Sequence, residues 1–349
     1  MNNIKNILKV SFVIIGTLIG AGFASGKEIV IFFSKYGEYG IYGIILSAAL
    51  TGLIVTLSLK IAKENEIKNN KEFIELITNK KEKLGCFTLA IINIFLVISF
   101  YIMMAGFAVN IKQELNIPIF ISNIVMSIAM YKIFIKKVDG IVKLNSLIVP
   151  LLIFITFFIS INNIITNGAT IEPEITNIKG NWIVSAILYS SYNSIILIPI
   201  VVSLREYINE KKDIIKVSMI VTIIFILMAM GIHFLITNYG ISNEELPVLN
   251  ILGLTNSVYK EIYFIAIIIA IFTSAVSAGY ELLSGMQIEN KEKYKRVAII
   301  FCLMGIPVAY IGFGNLVTYL YPIFGLLGLF EIILIIKNSI AKKDKNWYK

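Results

Sequence analysis

Residues 16–28 read GTLIGAGFASGKE, which places four glycines, followed by Lys27 and Glu28, inside an apolar segment long enough to cross a membrane. Glycine loses more conformational entropy on folding than any other residue, so this run weakens a helix. Backbone groups freed by a break within a membrane must be satisfied by surrounding protein or by a polar cavity. The stretch therefore predicts a binding site on a discontinuous first helix.

Close helix packing is the alternative interpretation of the same glycines, because they fall into two GxxxG pairs. A charge at the centre of a membrane helix, however, costs about 2.5 to 3.5 kcal/mol on insertion scales and usually has a function. The adjacent Lys27 and Glu28 therefore favour a site over packing alone. We take both as candidates for coupling or gating.

The composition excludes a soluble globular protein. The 349 residues are 57% hydrophobic and only 15% charged, and the mean hydropathy is +0.83. The net charge of +9 comes from lysines in short clusters between apolar segments, a topology signal rather than a nucleic-acid surface. We expect a lipid bilayer and a small-molecule substrate as partners, and no nucleic acid.

Enzyme chemistry finds little support in the residue inventory. His233 is the only histidine, so neither a histidine metal site nor a Ser/His/Asp triad can be assembled. Cys86 and Cys302 are distant from each other and have no metal-ligand spacing, which indicates packing residues. We therefore expect no enzyme and no organic cofactor.

Ten segments have the length and hydropathy, or nearly so, of membrane-spanning helices. They are residues 10–34, 38–60, 84–110, 118–135, 144–165, 182–203, 214–237, 259–284, 296–313 and 316–336. Basic clusters fall in alternate loops, which predicts that both termini lie in the cytoplasm and that the number of spans is even. Short helices are also predicted around Phe73 and within 246–257, the latter as a lid.

Ten spans divide into halves of five, about 7–166 and 180–338, within a single domain 1–349 that ends in a short tail, 339–349. Because five is odd, the halves have opposite orientations and we expect inverted repeats. The sixth span should then be interrupted like the first. The polar run Ser190 to Ser194, followed by Pro199, predicts this second break.

Two groups of residues could bind a solute and an ion. The amides of Gly20, Ala21 and Gly22 start a half-helix, where a carboxylate is favoured, whereas Ser190, Ser191 and Asn193 could meet an ammonium. In the eighth span, Thr273 and Ser274 could complete an oxygen cage for a small monovalent cation. The alternative is that these two hydroxyls only bond back to their own helix.

The motif GTLIGAGFASGKE resembles the first-helix motif of the amino acid/polyamine/organocation superfamily and is most similar to the YkvI-like bacterial membrane proteins. The resemblance implies an all-α leucine-transporter fold of two inverted five-helix repeats with broken first and sixth helices. It implies a secondary transporter of a small amino acid or related zwitterion, with Gly20, Ala21, Gly22 and the following Phe23 at the substrate.

The same resemblance implies a sodium site. Its ligands map onto the carbonyls of Gly16 and Ile19 and, through an AxxTS pattern, onto Ala270, Thr273 and Ser274. Proton-coupled relatives replace the ion by a fifth-helix lysine, but only Lys143 stands near that span, at its end. Sodium is therefore the expected coupling ion. The role of Lys27 and Glu28 is not settled by the superfamily.

Three further expectations complete the sequence-based picture. Tyr101 in the third span could reach a substrate carboxylate or could be a packed aromatic residue. Glu281 could line the inner exit or pair with a loop lysine. Tyr319 and Tyr321 could form an outer gate or lie at the membrane interface, and we favour the interface. A proton-coupled carrier and a non-transporting ligand sensor of the same fold remain the alternatives. Substrate identity, transport direction and oligomeric state do not follow from the sequence.

Overall fold

The computed structural model describes residues 2–136, 141–167, 180–240 and 244–347, and these residues form helices joined by short connections. The helices, in chain order, are α1 Asn2–Leu18, α2 Ala21–Ala24, α3 Lys27–Phe32, α4 Tyr39–Glu64, α5 Asn70–Ile77, α6 Glu82–Leu115, α7 Ile119–Lys136, α8 Ile141–Asn167, α9 Trp182–Leu204, α10 Lys211–Asn238, α11 Pro247–Thr255, α12 Ser257–Gly285, α13 Lys291–Ala309 and α14 Phe313–Trp347.

Each of the ten predicted segments is occupied by helix, with α1, α2 and α3 together filling the first. Within the described ranges, six helices are long and apolar enough to cross a membrane: α4, α6, α9, α10, α12 and α14. The inverted relation between the two halves stays a prediction. Helix α14 continues to Trp347, so most of the segment predicted as a tail is helical; residues 348–349 lie outside the described ranges.

The first helix lies at the centre of the bundle. Helix α1 packs against α8, α9 and α10, whereas α2 contacts α6 and α12. Around this centre, α9 packs between α4 and α14, and α12 packs between α6 and α8. A polar break in the first helix is therefore surrounded by protein, as an interruption at membrane depth requires.

Two short helices mark opposite ends of the bundle, and both were predicted. Helix α5 is capped by the Asn69 side chain, which accepts from the Glu72 backbone N–H, and it buries Phe73, Ile74 and Ile77. Helix α11 begins at Pro247, a residue favoured in the first turn. We refer below to the α5 end and the α11 end of the molecule.

Candidate binding site at the broken first helix

The first membrane segment is interrupted twice. Helix α1 ends at Leu18, and Gly20 has extended backbone (φ −89°, ψ −173°) before the four-residue helix α2. A second interruption follows at Gly26, whose φ of 83° is a left-handed conformation that favours glycine. The predicted break is therefore present, and the structure adds a second one before Lys27.

Protein groups satisfy the carbonyls that these interruptions free. The Tyr263 hydroxyl of α12 donates to the Ala24 carbonyl at 2.8 Å, and the Val248 amide of α11 donates to the Ser25 carbonyl at 3.1 Å. The Ser25 hydroxyl donates to the Gly22 carbonyl at 3.1 Å. The gap is thus held by named partners from two other helices, which makes it a built feature of the fold.

The Glu28 carboxylate folds back onto this gap. Its side chain lies so close to Gly22 that a Cβ there would stand 2.2 Å from Glu28 Oε1. The hydroxyl of Tyr189 donates to Oε2 at 3.3 Å, the hydroxyl of Tyr192 donates to the same atom, and the Phe23 backbone also hydrogen-bonds the carboxylate. Glu28 is 2% exposed. An internal carboxylate therefore lies beside Gly22, close to the backbone amides where we expected a substrate carboxylate.

A small cavity of about 30 Å³ adjoins Glu28. A cavity of this size holds about one water molecule, so a larger solute requires neighbouring side chains to move. The residues that line it come from α1, the first interruption, α3, α6, α9, α12 and α14: Thr17, Leu18, Gly20, Glu28, Phe95, Ser99, Met103, Tyr192, Asn193, Ile196, Ser274, Ala278 and Tyr321.

Aromatic rings form much of the wall around the carboxylate. Tyr192 stacks on Tyr321 with ring centroids 4.7 Å apart and on Phe32 at 5.7 Å. Tyr189 meets Tyr192 edge to face at 5.2 Å, and Phe95 lies 6.4 Å from Tyr192. The phenol groups face Glu28 while the ring bodies pack on one another, which fixes their orientation.

Part of the predicted cation site is brought together. The Ser274 hydroxyl lies 3.5 Å from the Ile19 carbonyl, across the first interruption. Gly16 and Ser274 line a second cavity, about 20 Å³, on the side of Glu281. The Thr273 hydroxyl, by contrast, donates to the carbonyls of Ile269 and Ala270 within its own helix, at 3.0 and 3.1 Å. These are the bonds expected under the alternative interpretation, in which the hydroxyl bonds back to its own helix.

The break predicted in the sixth span is wrong. Trp182–Leu204 is one continuous helix, although Pro199 lies inside it. The polar run is accommodated because its side chains bond to backbone carbonyls one turn earlier: Ser190 to Ala186 at 3.0 Å, Ser191 to Ile187 at 2.6 Å, and Asn193 to Tyr189 at 2.9 Å. Polar residues alone therefore did not signal an interruption.

Some of the residues predicted for the substrate site line the cavity beside Glu28, and others contact neighbouring helices instead. Gly20 and Asn193 line the cavity beside Glu28. The hydroxyl of Ser190 also donates to the Ser47 carbonyl of α4, and the amide of Ala21 donates to the Met103 sulfur at 3.4 Å. Tyr101 donates to the Phe301 carbonyl at 3.2 Å and packs against α13, which are the contacts of a packed aromatic residue. Helix α6 instead faces the cavity with Phe95, Ser99 and Met103.

The charged candidates flank the cavity at opposite ends. The Lys27 ammonium donates to the Glu244 carbonyl at 2.9 Å and lies near the Gly314 backbone, whose amide donates to Glu245 Oε2 at 3.2 Å. Glu281 accepts from the Asn70 side chain of α5 at 2.6 Å. Glu281 therefore pairs with an asparagine rather than with a loop lysine. The contact of Glu281 with Asn70 lies toward the α5 end, and the contact of Lys27 with Glu244 lies toward the α11 end.

Two residues of α14 were misjudged or missed. Tyr321 is 3% exposed and lines the cavity, so its interfacial interpretation is wrong, whereas its neighbour Tyr319 is 67% exposed. Glu331 is also buried, facing the Ser194 hydroxyl of α9. An acidic residue within the predicted span 316–336 was the signal that could have identified it.

No protein-family model matches the chain. Two proteins of Bacillus subtilis (strain 168) are similar over nearly their whole length. The uncharacterized membrane protein YkvI is 25% identical over 327 residues, which is 92% of this chain and 92% of YkvI. The uncharacterized protein YyaD is 24% identical over 346 residues, 97% of this chain and 98% of YyaD.

Solved structures of transporters, rather than enzymes, share the fold. MhsT in complex with L-phenylalanine has a TM-score of 0.65 at 17% identity, covering 97% of this chain and 91% of MhsT. A manganese transporter of Eremococcus coleocola has a TM-score of 0.65 at 15% identity, covering 94% of this chain and 78% of the transporter. A Na⁺-coupled sialic acid symporter has a TM-score of 0.61 at 13% identity, covering 95% of this chain and 78% of the symporter. The chain is a multi-pass membrane protein with the leucine-transporter fold.

Proposed function

We propose that the protein is a secondary active transporter of the bacterial cytoplasmic membrane, which moves a small amino acid or related zwitterion by alternating access with sodium as the coupling ion. Its fold is that of transporters with different cargoes, so the cargo must be argued from the site. The proposal includes two inverted halves that rock against each other around a site near the bilayer midplane.

One observation carries the sodium part of the proposal. The Ser274 hydroxyl of α12 stands 3.5 Å from the Ile19 carbonyl at the end of α1. Unwound backbone carbonyls facing hydroxyls of a neighbouring helix are a typical environment for a coupling cation in broken-helix transporters. Gly16 lies one turn before Ile19, and Thr273 and Ala270 precede Ser274 on the same helix. Under the proposal, the Thr273 hydroxyl, which here donates to the Ile269 and Ala270 carbonyls, would turn toward the cation.

Thermal unfolding of the purified protein in sodium or potassium, at one ionic strength, tests this part. A ligand that binds the folded protein stabilises it by about 2.7 kcal/mol at a hundredfold excess over its dissociation constant. We expect a sodium-specific rise that Ser274→Ala and Thr273→Val abolish. Ser284→Ala is the matched control, because Ser284 lies on the exposed part of α12 and its hydroxyl donates to the Glu281 carbonyl of the same helix. A sodium response that survives both substitutions contradicts the assignment.

A proton-coupled carrier is the second candidate, and two buried carboxyl groups favour it. Glu28 and Glu331 both lie within the membrane-spanning part, where an ionised carboxylate is costly unless it is paired. Uptake into sodium-free vesicles, driven by an imposed pH gradient, separates this candidate from sodium coupling. Saturable binding without any flux under either gradient would instead identify a ligand sensor.

A further inference from the structure

The carboxylate of Glu28 takes the place of an anionic ligand group at the broken helix. Oε1 lies against Gly22, in space that any other residue would fill with its Cβ. The Phe23 backbone and the hydroxyls of Tyr189 and Tyr192 hold the same carboxylate. A carboxylate of the protein itself is therefore present beside Gly22, one of the three residues whose amides we expected to bind the carboxylate of an amino acid.

Among the ion pairs that the described residues form, none involves the Glu28 carboxylate. Lys27 is adjacent in sequence, but its ammonium donates to the Glu244 carbonyl at the α11 end. Among the described residues that line the cavity, none is lysine, arginine or histidine. A buried carboxylate without an ionic partner is costly, and either a proton, as in the proton-coupled candidate above, or a cation that enters the cavity relieves this cost.

The other walls of the cavity suit an organic cation better than a bare metal ion. Tyr192, Tyr321 and Phe95 contribute aromatic rings, and Met103 contributes a thioether. Aromatic faces attract ammonium groups through the ring quadrupole, and a methionine side chain adapts its shape to apolar parts of a ligand. Within the described residues, no group of three or more His, Cys, Asp and Glu residues could hold a metal ion.

We infer that the central site binds a small organic ammonium ion that lacks a carboxylate, with the ammonium on Glu28 and its substituents against Tyr321, Tyr192 and Phe95. The inference rests on the proposed function and narrows its substrate class from zwitterions to amines. A carboxylate on the ligand would meet Glu28 at close range in a low-dielectric site, and like-charge contact of this kind rejects a ligand.

Pairs of an amine and its parent amino acid test the inference, because the two members differ only by the carboxylate. We would use isobutylamine and valine, 2-phenylethylamine and phenylalanine, and ethanolamine and serine, at fixed sodium and ionic strength, with thermal unfolding as the readout. We expect at least one amine to stabilise the wild-type protein with an apparent affinity at least tenfold higher than its amino acid. Equal or stronger binding of the amino acids, or no response to any amine, overturns the inference.

Two sets of variants locate the response. Glu28→Gln should remove the amine response, whereas Glu75→Gln, a half-exposed carboxylate of α5, should leave it unchanged. Tyr321→Phe retains the ring and should retain the amine affinity, but Tyr321→Leu should weaken it about fivefold, the typical size of one aromatic contact to a cation. These α14 variants keep the test decisive if Glu28→Gln does not fold. An affinity that is equal in Tyr321→Phe and Tyr321→Leu contradicts the aromatic part.

Flux measurements distinguish this inference from the proposed function. Vesicles loaded with the purified protein would be assayed for uptake of the same three pairs. Uptake of an amino acid without any binding of its amine contradicts the inference and leaves transport intact. Binding of an amine without flux of any member supports the inference and contradicts transport.

Discussion

Gly22 and Glu28 share one volume of space: a Cβ at Gly22 would lie 2.2 Å from Oε1 of Glu28 and 2.7 Å from its Cγ. The glycine is therefore required by a side chain six residues later in the sequence. Helix packing between neighbours, the usual reason for small residues in membrane helices, does not account for this contact.

Gly22→Ala should destabilise the protein by about 1–3 kcal/mol, the usual cost of overpacking, because the middle of the Glu28 side chain must move. The effect should shrink when Glu28 is replaced by alanine, since the clash then disappears. A double-mutant cycle of unfolding free energies measures this coupling. Gly285→Ala is the control, because a Cβ at Gly285 meets no atom within 4 Å. Equal effects of Gly22→Ala with and without Glu28 would refute the contact.

The two phenol groups on Glu28 should differ in their contribution. Tyr192→Phe removes the shorter hydrogen bond, and Tyr189→Phe removes one of 3.3 Å. Leaving a buried carboxylate short of a donor costs about 1–3 kcal/mol, so we expect Tyr192→Phe to lower stability by more than Tyr189→Phe. Chemical unfolding of the two variants decides the order. In a Glu28→Gln background, both effects should fall below 1 kcal/mol, because the charged acceptor is gone.

Lys27 connects the α11 end of the molecule to the broken helix. Its ammonium donates to the Glu244 carbonyl, and the nearby Glu245 accepts from the Gly314 amide. Lys27→Met should therefore raise backbone hydrogen exchange within residues 244–255, where opening is local. Peptides from α5, at the opposite end, are the internal control and should exchange at the wild-type rate. Unchanged exchange in 244–255 would show that Lys27 does not hold this segment.

The break in the first helix was predictable, because a run of glycines weakens a helix and adjacent charges are costly in a membrane, whatever the rest of the fold. The side chain that packs against the break was not predictable. Glu28 was identified as a coupling candidate, but nothing in a linear sequence says that its carboxylate reaches back to Gly22 and Phe23. That contact depends on the left-handed turn at Gly26, a tertiary feature.

The failure at the sixth helix has a similar cause. Serine and asparagine can either interrupt a helix or bond to carbonyls one turn earlier, and the sequence of 190–194 is compatible with both outcomes. The structure shows the second outcome, with Ser190 bonded to Ala186 and Asn193 to Tyr189. Tyr321 was misassigned because an aromatic residue near a predicted span end suits a membrane interface as well as a core.

The second interruption, at Gly26, separates two short helices, α2 and α3, whose relative orientation depends on one left-handed residue. Helix α2 is only four residues long, and it is connected to α3 by a left-handed joint and, around that joint, by the Glu28 carboxylate on the Phe23 backbone. A cation that draws the carboxylate toward the cavity competes directly with the hydrogen bond between Glu28 and the Phe23 backbone. We therefore expect occupancy of the site to change the angle between α2 and α3, because the carboxylate proposed to bind the ligand is also the group that links α3 to the Phe23 backbone.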